Sequence, residues 1–215
     1  ADLALRLLGR PFGPGEAVIV KPSNILNPLA ELLLALEDQG RALFLYAPLE
    51  TFLVSVARKG LHCRAWVREL LEGYVQDNFV HLGFAPEDYF RLTDLQVAAI
   101  GWLAQHQYFT ALSGKLGTRL ASLDADLLTE RPEAAIAAVA AHYGLALDAA
   151  AVAKGPAFSR NSKSGADYSP AARSADYAAA RAAYGEEIAM VVTWAGAVAA
   201  NVGLTLDGPN PLLQA

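Results

Sequence analysis

The chain is short of several things, and each shortage narrows what it can be. One cysteine, Cys63, stands among 215 residues, so neither an internal disulfide nor a cysteine zinc centre can form. A single thiol suits a reducing compartment, and the cytoplasm is the expectation. Cys63 follows His62, but sequence neighbours point apart on a helix, so Cys63 reads as a small buried hydrophobe rather than a nucleophile beside its base. Charge is scarce as well. Charged residues make up 18% against 54% hydrophobic, which excludes disorder for most of the chain. A basic excess is missing: 17 Lys and Arg face 22 Asp and Glu, for a net charge of -5. No general affinity for nucleic acid or an anionic membrane surface is therefore expected, and an anionic ligand would need a local pocket. A signal-peptide pattern is not expected in ADLALRLLGR, which carries Asp2 where a basic residue belongs.

One uncharged run, Ile188 to Leu206, covers 19 positions. That reaches the length of a membrane span. It is rich in Ala and Gly, however, and flanked by Glu186, Glu187 and Asp207 without a Lys or Arg anchor. It reads as a buried or interface-packed helix, and it is the natural contact surface for a homodimer. Alanine accounts for 43 of the 215 residues, which favours closely packed helices.

Two turns of apolar residues in Ala1 to Gly9 predict a short helix ended by Gly9 and Pro11. The loop GRPFGPGE precedes a strand-like run, whereas a phosphate cradle follows a strand and opens a helix, so it is set aside as a binding loop. Ala17 to Lys21 (AVIVK) has no alternation and predicts a strand buried on both faces. After a turn at Pro22, Ser23 and Asn24, a helix is expected over Leu29 to Glu37. Arg41 to Tyr46 (RALFLY) predicts a second buried strand. Pro48 suits the first turn of the next helix, which Gly60 closes. Strand–helix–strand–helix alternation predicts an α/β fold with a parallel sheet flanked by helices.

Helices are expected over Leu61 to Tyr74 and Asp94 to Leu112, making a helical insertion of about residues 61–115 within one domain, 1–215. Arg119 to Leu123 is a third strand candidate. Beyond it, Thr129 as cap, Pro132 and Glu133 in the first turn and Gly144 as stop bracket a helix. Pro156 to Ala175 reads as a solvated polar loop, and a last long helix runs from about Asp176 to Val202.

Three of these segments, in this order, resemble the sulfotransferase family. AVIVKPSN looks like that family's second strand, which ends in a Lys-Thr-His turn facing the sulfuryl group. RALFLYAPLETFLVSVARKG is similar to the strand, turn and helix that grip the 3'-phosphate of the sulfate donor, usually Arg-x-Pro-x-Asp/Glu followed by a Ser. RLASLDADLLTERPEAAIAAVAAHYGL is similar to the family's late strand, acidic turn and Pro-Glu helix. FSRNSKSGADY, Phe158 to Tyr168, resembles the basic loop that closes over the donor. The resemblance implies a P-loop-kinase-like, three-layer fold, with the family's first strand and phosphate-binding loop lying ahead of residue 1. It implies sulfuryl transfer from 3'-phosphoadenosine 5'-phosphosulfate to a small-molecule hydroxyl or amine, without a metal. Departures stand at chemically important places. The turn reads Lys21-Pro22-Ser23, so serine replaces the catalytic histidine. Tyr46 occupies the 3'-phosphate arginine position. Ser55 arrives one residue late, a helical rotation of about 100°.

The implied catalytic pair is thus Lys21, to stabilise charge on the transferred group, and Ser23, which cannot act as a base unaided. Ser55, Arg58, Arg160 and Lys163 are the implied donor-binding residues. Arg58 and Lys59 equally suit the negative end of a helix dipole, and a loop arginine suits bidentate phosphate capture. His62, His81, His106 and His142 lack metal-ligand spacing, and His106, near Trp102 and Tyr108, reads as a satisfied structural histidine. Asp124, Asp126 and Glu130 read as helix-capping acids. Two alternatives stay open. One is a non-catalytic relative that serves as a binding or interaction module. The other is a phosphoryl transferase on the same scaffold, against which the missing Walker loop weighs.

Overall fold

A computed structural model describes residues 2–36, 39–158 and 170–214. The alternation legible at the start of the chain does produce parallel pairing, but between other segments than expected. Strand β1 (Ala42–Tyr46) lies beside β2 (Leu120–Asp124) in parallel, in register from Ala42 opposite Leu120 to Tyr46 opposite Asp124. Among the described residues these two strands form the whole sheet, apart from a bridge between Ser122 and Pro211. The protein is mostly helical around this small sheet, with an α/β connection through α-helices.

The AVIVK segment corrects the first strand expectation. Residues 17–21 take no regular structure and pair with no strand among the described residues, and Val18, Ile19 and Val20 are 40%, 56% and 43% exposed. A β-branched run becomes a strand only where a neighbour completes its hydrogen bonds and packs its side chains. β1 is a second correction. Phe44 is buried, but Leu45 is 45% exposed, so the strand is covered well on one face only. β2 is the strand buried throughout, from Leu120 to Leu123.

The helices follow their caps. Helix α1 (Asp2–Leu8) ends before Pro11 as expected. The next helix begins as a 3-10 turn, Asn24–Leu29, which accommodates Pro28, and then continues as α2 (Ala30–Ala35). Helix α3 (Leu49–Arg58) starts after Pro48, which sits at the N-cap rather than inside the first turn. Gly60, at φ 66°, turns the chain into α4 (Gly60–Gln76). Helix α5 (Asp94–Leu116) opens on a capping box: Thr93 Oγ1 accepts from the Gln96 N–H at 3.3 Å, and Gln96 Oε1 accepts from the Thr93 N–H at 2.9 Å.

β2 runs straight into α6 (Ala125–Glu130), whose first turn is capped by Asp124. The expectation that Thr129 caps the following helix fails. Thr129 lies inside α6 and donates to the Asp126 carbonyl at 2.9 Å, while Arg131 holds the N-cap of α7 (Pro132–Tyr143). Gly144 ends α7 in the left-handed conformation at φ 67°. A short α8 (Ala149–Ala153) follows, and α9 (Pro170–Asn201) begins six residues earlier than expected. Residues 170–175 are therefore helix, not loop.

The main core joins α3, α4, α5 and α9, through Leu53, Val54, Leu95, Ile100, Leu103, Val191 and Ala195. One face of the uncharged half of α9 is thus packed inside the molecule, with Ile188, Val198 and Ala199 also buried, while Met190 on another face is 67% exposed. Among the described residues no helix is long and apolar enough to cross a membrane. A smaller cluster of Leu34, Phe44, Phe109, Leu112 and Leu120 seats α2 and α5 on the inner face of the sheet.

Candidate functional site

Parallel strands send their following helices off the same end of a sheet, so α3 and α6 both start at the rim where β1 and β2 finish. Two polar side chains meet there. Thr51, in the first turn of α3, donates its hydroxyl to Asp126 Oδ2 at 2.7 Å, and Asp126 sits in the first turn of α6. Asp124 Oδ1 accepts from the Asp126 N–H at 2.7 Å, which is the expected capping role of the acidic run. Burial raises the Asp124 carboxyl above its ordinary range; the Asp126 N–H opposes the shift and the Asp126 charge adds to it.

From Thr51 the polar residues continue along one stripe of α3. Thr51, Ser55 and Arg58 are spaced four and three residues apart, which places them on a common face. The first turns of α9 lie against this stripe. Arg173 reaches Asp126 Oδ1 at 3.4 Å and Thr129 Oγ1 at 3.2 Å. Arg58 pairs with Asp176 at 2.8 Å. Both guanidinium groups approach one aromatic ring, with Arg58 5.6 Å and Arg173 5.1 Å from the centre of Tyr177. Arg181, one turn beyond Tyr177, pairs with Glu50 at 3.0 Å. The seam between α3, α6 and α9 therefore collects hydroxyls, carboxylates and arginines at one edge of the sheet.

The sequence-predicted residues divide accordingly. Ser55, half-buried, and Arg58, exposed, both lie in this seam. Lys21 is exposed on the irregular segment and ends no strand. Ser23 stands at the N-cap of the 3-10 turn and donates to Asn24 Oδ1 at 3.3 Å, while the Asn24 carbonyl accepts from the Tyr74 hydroxyl at 3.1 Å. This turn is thereby fastened to α4. Arg160 and Lys163 lie outside the described residues.

Tyr46 does not face the seam as a phosphate ligand. Its hydroxyl accepts from the Gly208 N–H at 3.1 Å, and its ring stands 4.9 Å from His106. Burial raises its pKa above the ordinary phenol value, the Gly208 N–H opposes the shift, and the Asp124 and Asp207 charges add to it. His106 is a structural histidine, but only half of it is satisfied. Nδ1 bonds the Trp102 carbonyl at 3.1 Å, whereas Nε2 has no partner among the described residues, like the buried hydroxyl of Ser122. Burial pushes its pKa down to about 4.

Sequence reasoning missed Thr51, Asp126 as a seam ligand, Arg173 and Tyr177. The stripe at Thr51, Ser55 and Arg58 was readable from its spacing; Arg173 was hidden because its segment looked like a loop. An aliphatic cavity of about 220 Å³ lies on the other face of the sheet, walled by Ile19, Leu43, Leu45, Leu123, Ile136 and Val139 among others. Its lining offers packing without acid–base chemistry. Among the described residues no group of three or more His, Cys, Asp or Glu side chains is placed to hold a metal ion. Compared with models of protein families, with curated proteins and with solved structures, the chain matches none.

Proposed function

We propose that this protein is a sulfotransferase-like domain, built on a three-layer P-loop-kinase-like plan, that binds 3'-phosphoadenosine 5'-phosphosulfate. The observation that carries this reading is the seam. The Ser55 and Arg58 positions, implied as donor ligands, share one face of α3 and stand beside further polar groups at the edge of a parallel strand pair. A serine hydroxyl and a guanidinium are suited to a phosphate ester, which accepts several charge-assisted hydrogen bonds. Arg160 and Lys163 would add cations from their loop. In the reaction, the sulfur–oxygen bond to the donor phosphate breaks as a bond forms from the acceptor hydroxyl or amine. The acceptor loses its proton, and adenosine 3',5'-bisphosphate leaves. Lys21 would neutralise charge on the transferred group.

A second reading has its own support. Tyr46 is committed to Gly208, and the Ser23 hydroxyl donates to the Asn24 amide oxygen, which is no catalytic base. These favour a scaffold that binds without transferring.

Calorimetric titration with adenosine 3',5'-bisphosphate tests the proposal. Saturable binding that weakens in Ser55→Ala, together with sulfated acceptor in the presence of donor, supports the enzyme reading. Binding without turnover supports the binding module. Magnesium-dependent binding of ATP in preference to the bisphosphate would overturn both in favour of a phosphoryl transferase.

A further inference from the structure

We infer that Arg173 is the second cation of an anion site shared with Arg58 around the Tyr177 ring, and that Asp126 and Asp176 hold these two guanidinium groups until a phosphate or sulfate ester displaces them. The inference rests on the nucleotide-binding reading and adds to it a binding residue, Arg173, that the reading lacks.

Two arginines approach one ring, 5.6 and 5.1 Å from its centre, so like charges are gathered around Tyr177. Gathering them has an electrostatic cost, which each carboxylate offsets in a different way. Asp176 meets Arg58 at 2.8 Å, but the side chains are 38% and 60% exposed, where an ion pair contributes little. Asp126 meets Arg173 at 3.4 Å, beyond the usual length of a strong charge-assisted bond. Asp126 already accepts a much shorter bond from Thr51, at 2.7 Å. It therefore keeps a partner when Arg173 turns away. A guanidinium carries donors on three nitrogens in a rigid fork, so Arg173 can take up an anion and retain a bond to Thr129.

The ring gives both arginines a common platform, since a cation over a tyrosine face is stabilised without a full counter-charge. Ser55 lies between Thr51 and Arg58 on the facing stripe and supplies a hydroxyl donor. An anion lodged here would meet two arginines and a serine supplied by two different helices. It would also tie the start of α9 to α3. In this way the arginine missing from position 46 is replaced from another element.

A plain latch between helices would use the same contacts, and the two roles differ in sign. If the carboxylates compete with a ligand, removing their charge strengthens anion binding. If the cluster only fastens α9, removing it loosens the site. The experiment is calorimetric titration of the full chain with inorganic phosphate and, separately, adenosine 3',5'-bisphosphate at low salt. Circular dichroism of each variant verifies folding. Arg173→Gln should weaken binding of both ligands by about tenfold. Asp126→Asn and Asp176→Asn should each tighten phosphate binding, by about threefold. Asp variants that bind phosphate no better than the wild type overturn the inference, whatever Arg173→Gln does. Bisphosphate binding that is equal in wild type and Arg173→Gln overturns it too, and leaves the nucleotide reading standing. Phosphate binding with the expected variant pattern, but no preference for the bisphosphate, keeps the anion site and removes the nucleotide reading. A wild-type chain that binds neither ligand removes both.

Discussion

Thr51 and Asp126 lie 75 positions apart in sequence, yet their side chains meet at 2.7 Å and join the first turns of two helices at the end of the strand pair. The bond orders the seam from below. It fixes the carboxylate that Arg173 then approaches, and it does so from a threonine that is itself only 8% exposed.

Replacing Thr51 by Val keeps its shape and removes the donor. A hydrogen bond from a buried hydroxyl to a carboxylate is worth about 1–3 kcal/mol, because the acceptor loses a partner it cannot fully regain from water. Urea unfolding of Thr51→Val should show a loss of that size with an unchanged slope. A midpoint equal to that of the wild type would mean that Asp126 is solvated and that the seam is not ordered by this contact.

Some elements were readable from local chemistry and others were not. Helix α7 was legible because Pro132 and Gly144 act within a turn of themselves. β2 was legible because its apolar run is buried throughout. Residues 17–21 carry an equally strong strand signal, yet pairing depends on a neighbour that local sequence does not specify, and among the described residues the segment pairs with none. Thr129 illustrates a competition between two caps. Asp124 captures the turn first, α6 forms, and Thr129 falls inside it. Of the site, Ser55 and Arg58 were reached by resemblance and lie in the seam. Arg173 was not, because small polar residues beside a proline look like loop whether or not a helix begins there, and Tyr177, inside the expected last helix, gains its role only from the arginines brought to it.

His106 should make stability depend on pH in a particular direction. Its folded pKa is about 4, below the unfolded value of 6.5, because burial among Trp102, Phe44 and Tyr46 disfavours the imidazolium. The unfolded chain therefore binds the proton more readily. The contribution of neutral His106 is fully present above pH 6.5 and is lost as pH falls from about 6.5 towards about 4, by about 3 kcal/mol in all. His106→Leu should flatten this part of the profile when unfolding free energies are compared between pH 7 and pH 4.5. Parallel profiles for variant and wild type would show that the imidazole is hydrated in the folded state.

Gly208 has no room for a side chain. A Cβ there would stand 2.5 Å from a Tyr46 ring carbon and 2.6 Å from the Ser122 hydroxyl oxygen. Ser122 is fully buried and anchored in β2, so neither neighbour can move freely. Gly208→Ala should cost about 1–3 kcal/mol by overpacking. Adding Ser122→Gly should recover part of the loss, since it opens one side of the notch. Thermal denaturation of the two single variants and the double variant measures the coupling, and strictly additive losses would show that the backbone relaxes elsewhere.

Asn210 holds the end of the chain against β2 in two separable ways. Its backbone is left-handed, at φ 47°, a region that Asn enters more easily than most residues. Its side-chain nitrogen donates towards Ser113 Oγ at 2.9 Å and the carbonyls of Gly117 and Leu120 at 3.0 and 3.1 Å. The backbone then continues the sheet, with the Ser122 N–H donating to the Asn210 carbonyl at 3.1 Å and the Leu212 N–H to the Ser122 carbonyl at 2.9 Å. Asn210→Gly removes the amide while keeping the conformation accessible, and should cost about 1–2 kcal/mol. Asn210→Ala removes the same amide and adds the strain of a Cβ at positive φ, about 1–2 kcal/mol more. In both variants the Ser122 and Leu212 amides should exchange with solvent faster than in the wild type, and faster in Ala than in Gly. Equal stability of the two variants would show that the segment adopts another conformation once the amide is gone, and that the side-chain bonds alone impose the turn.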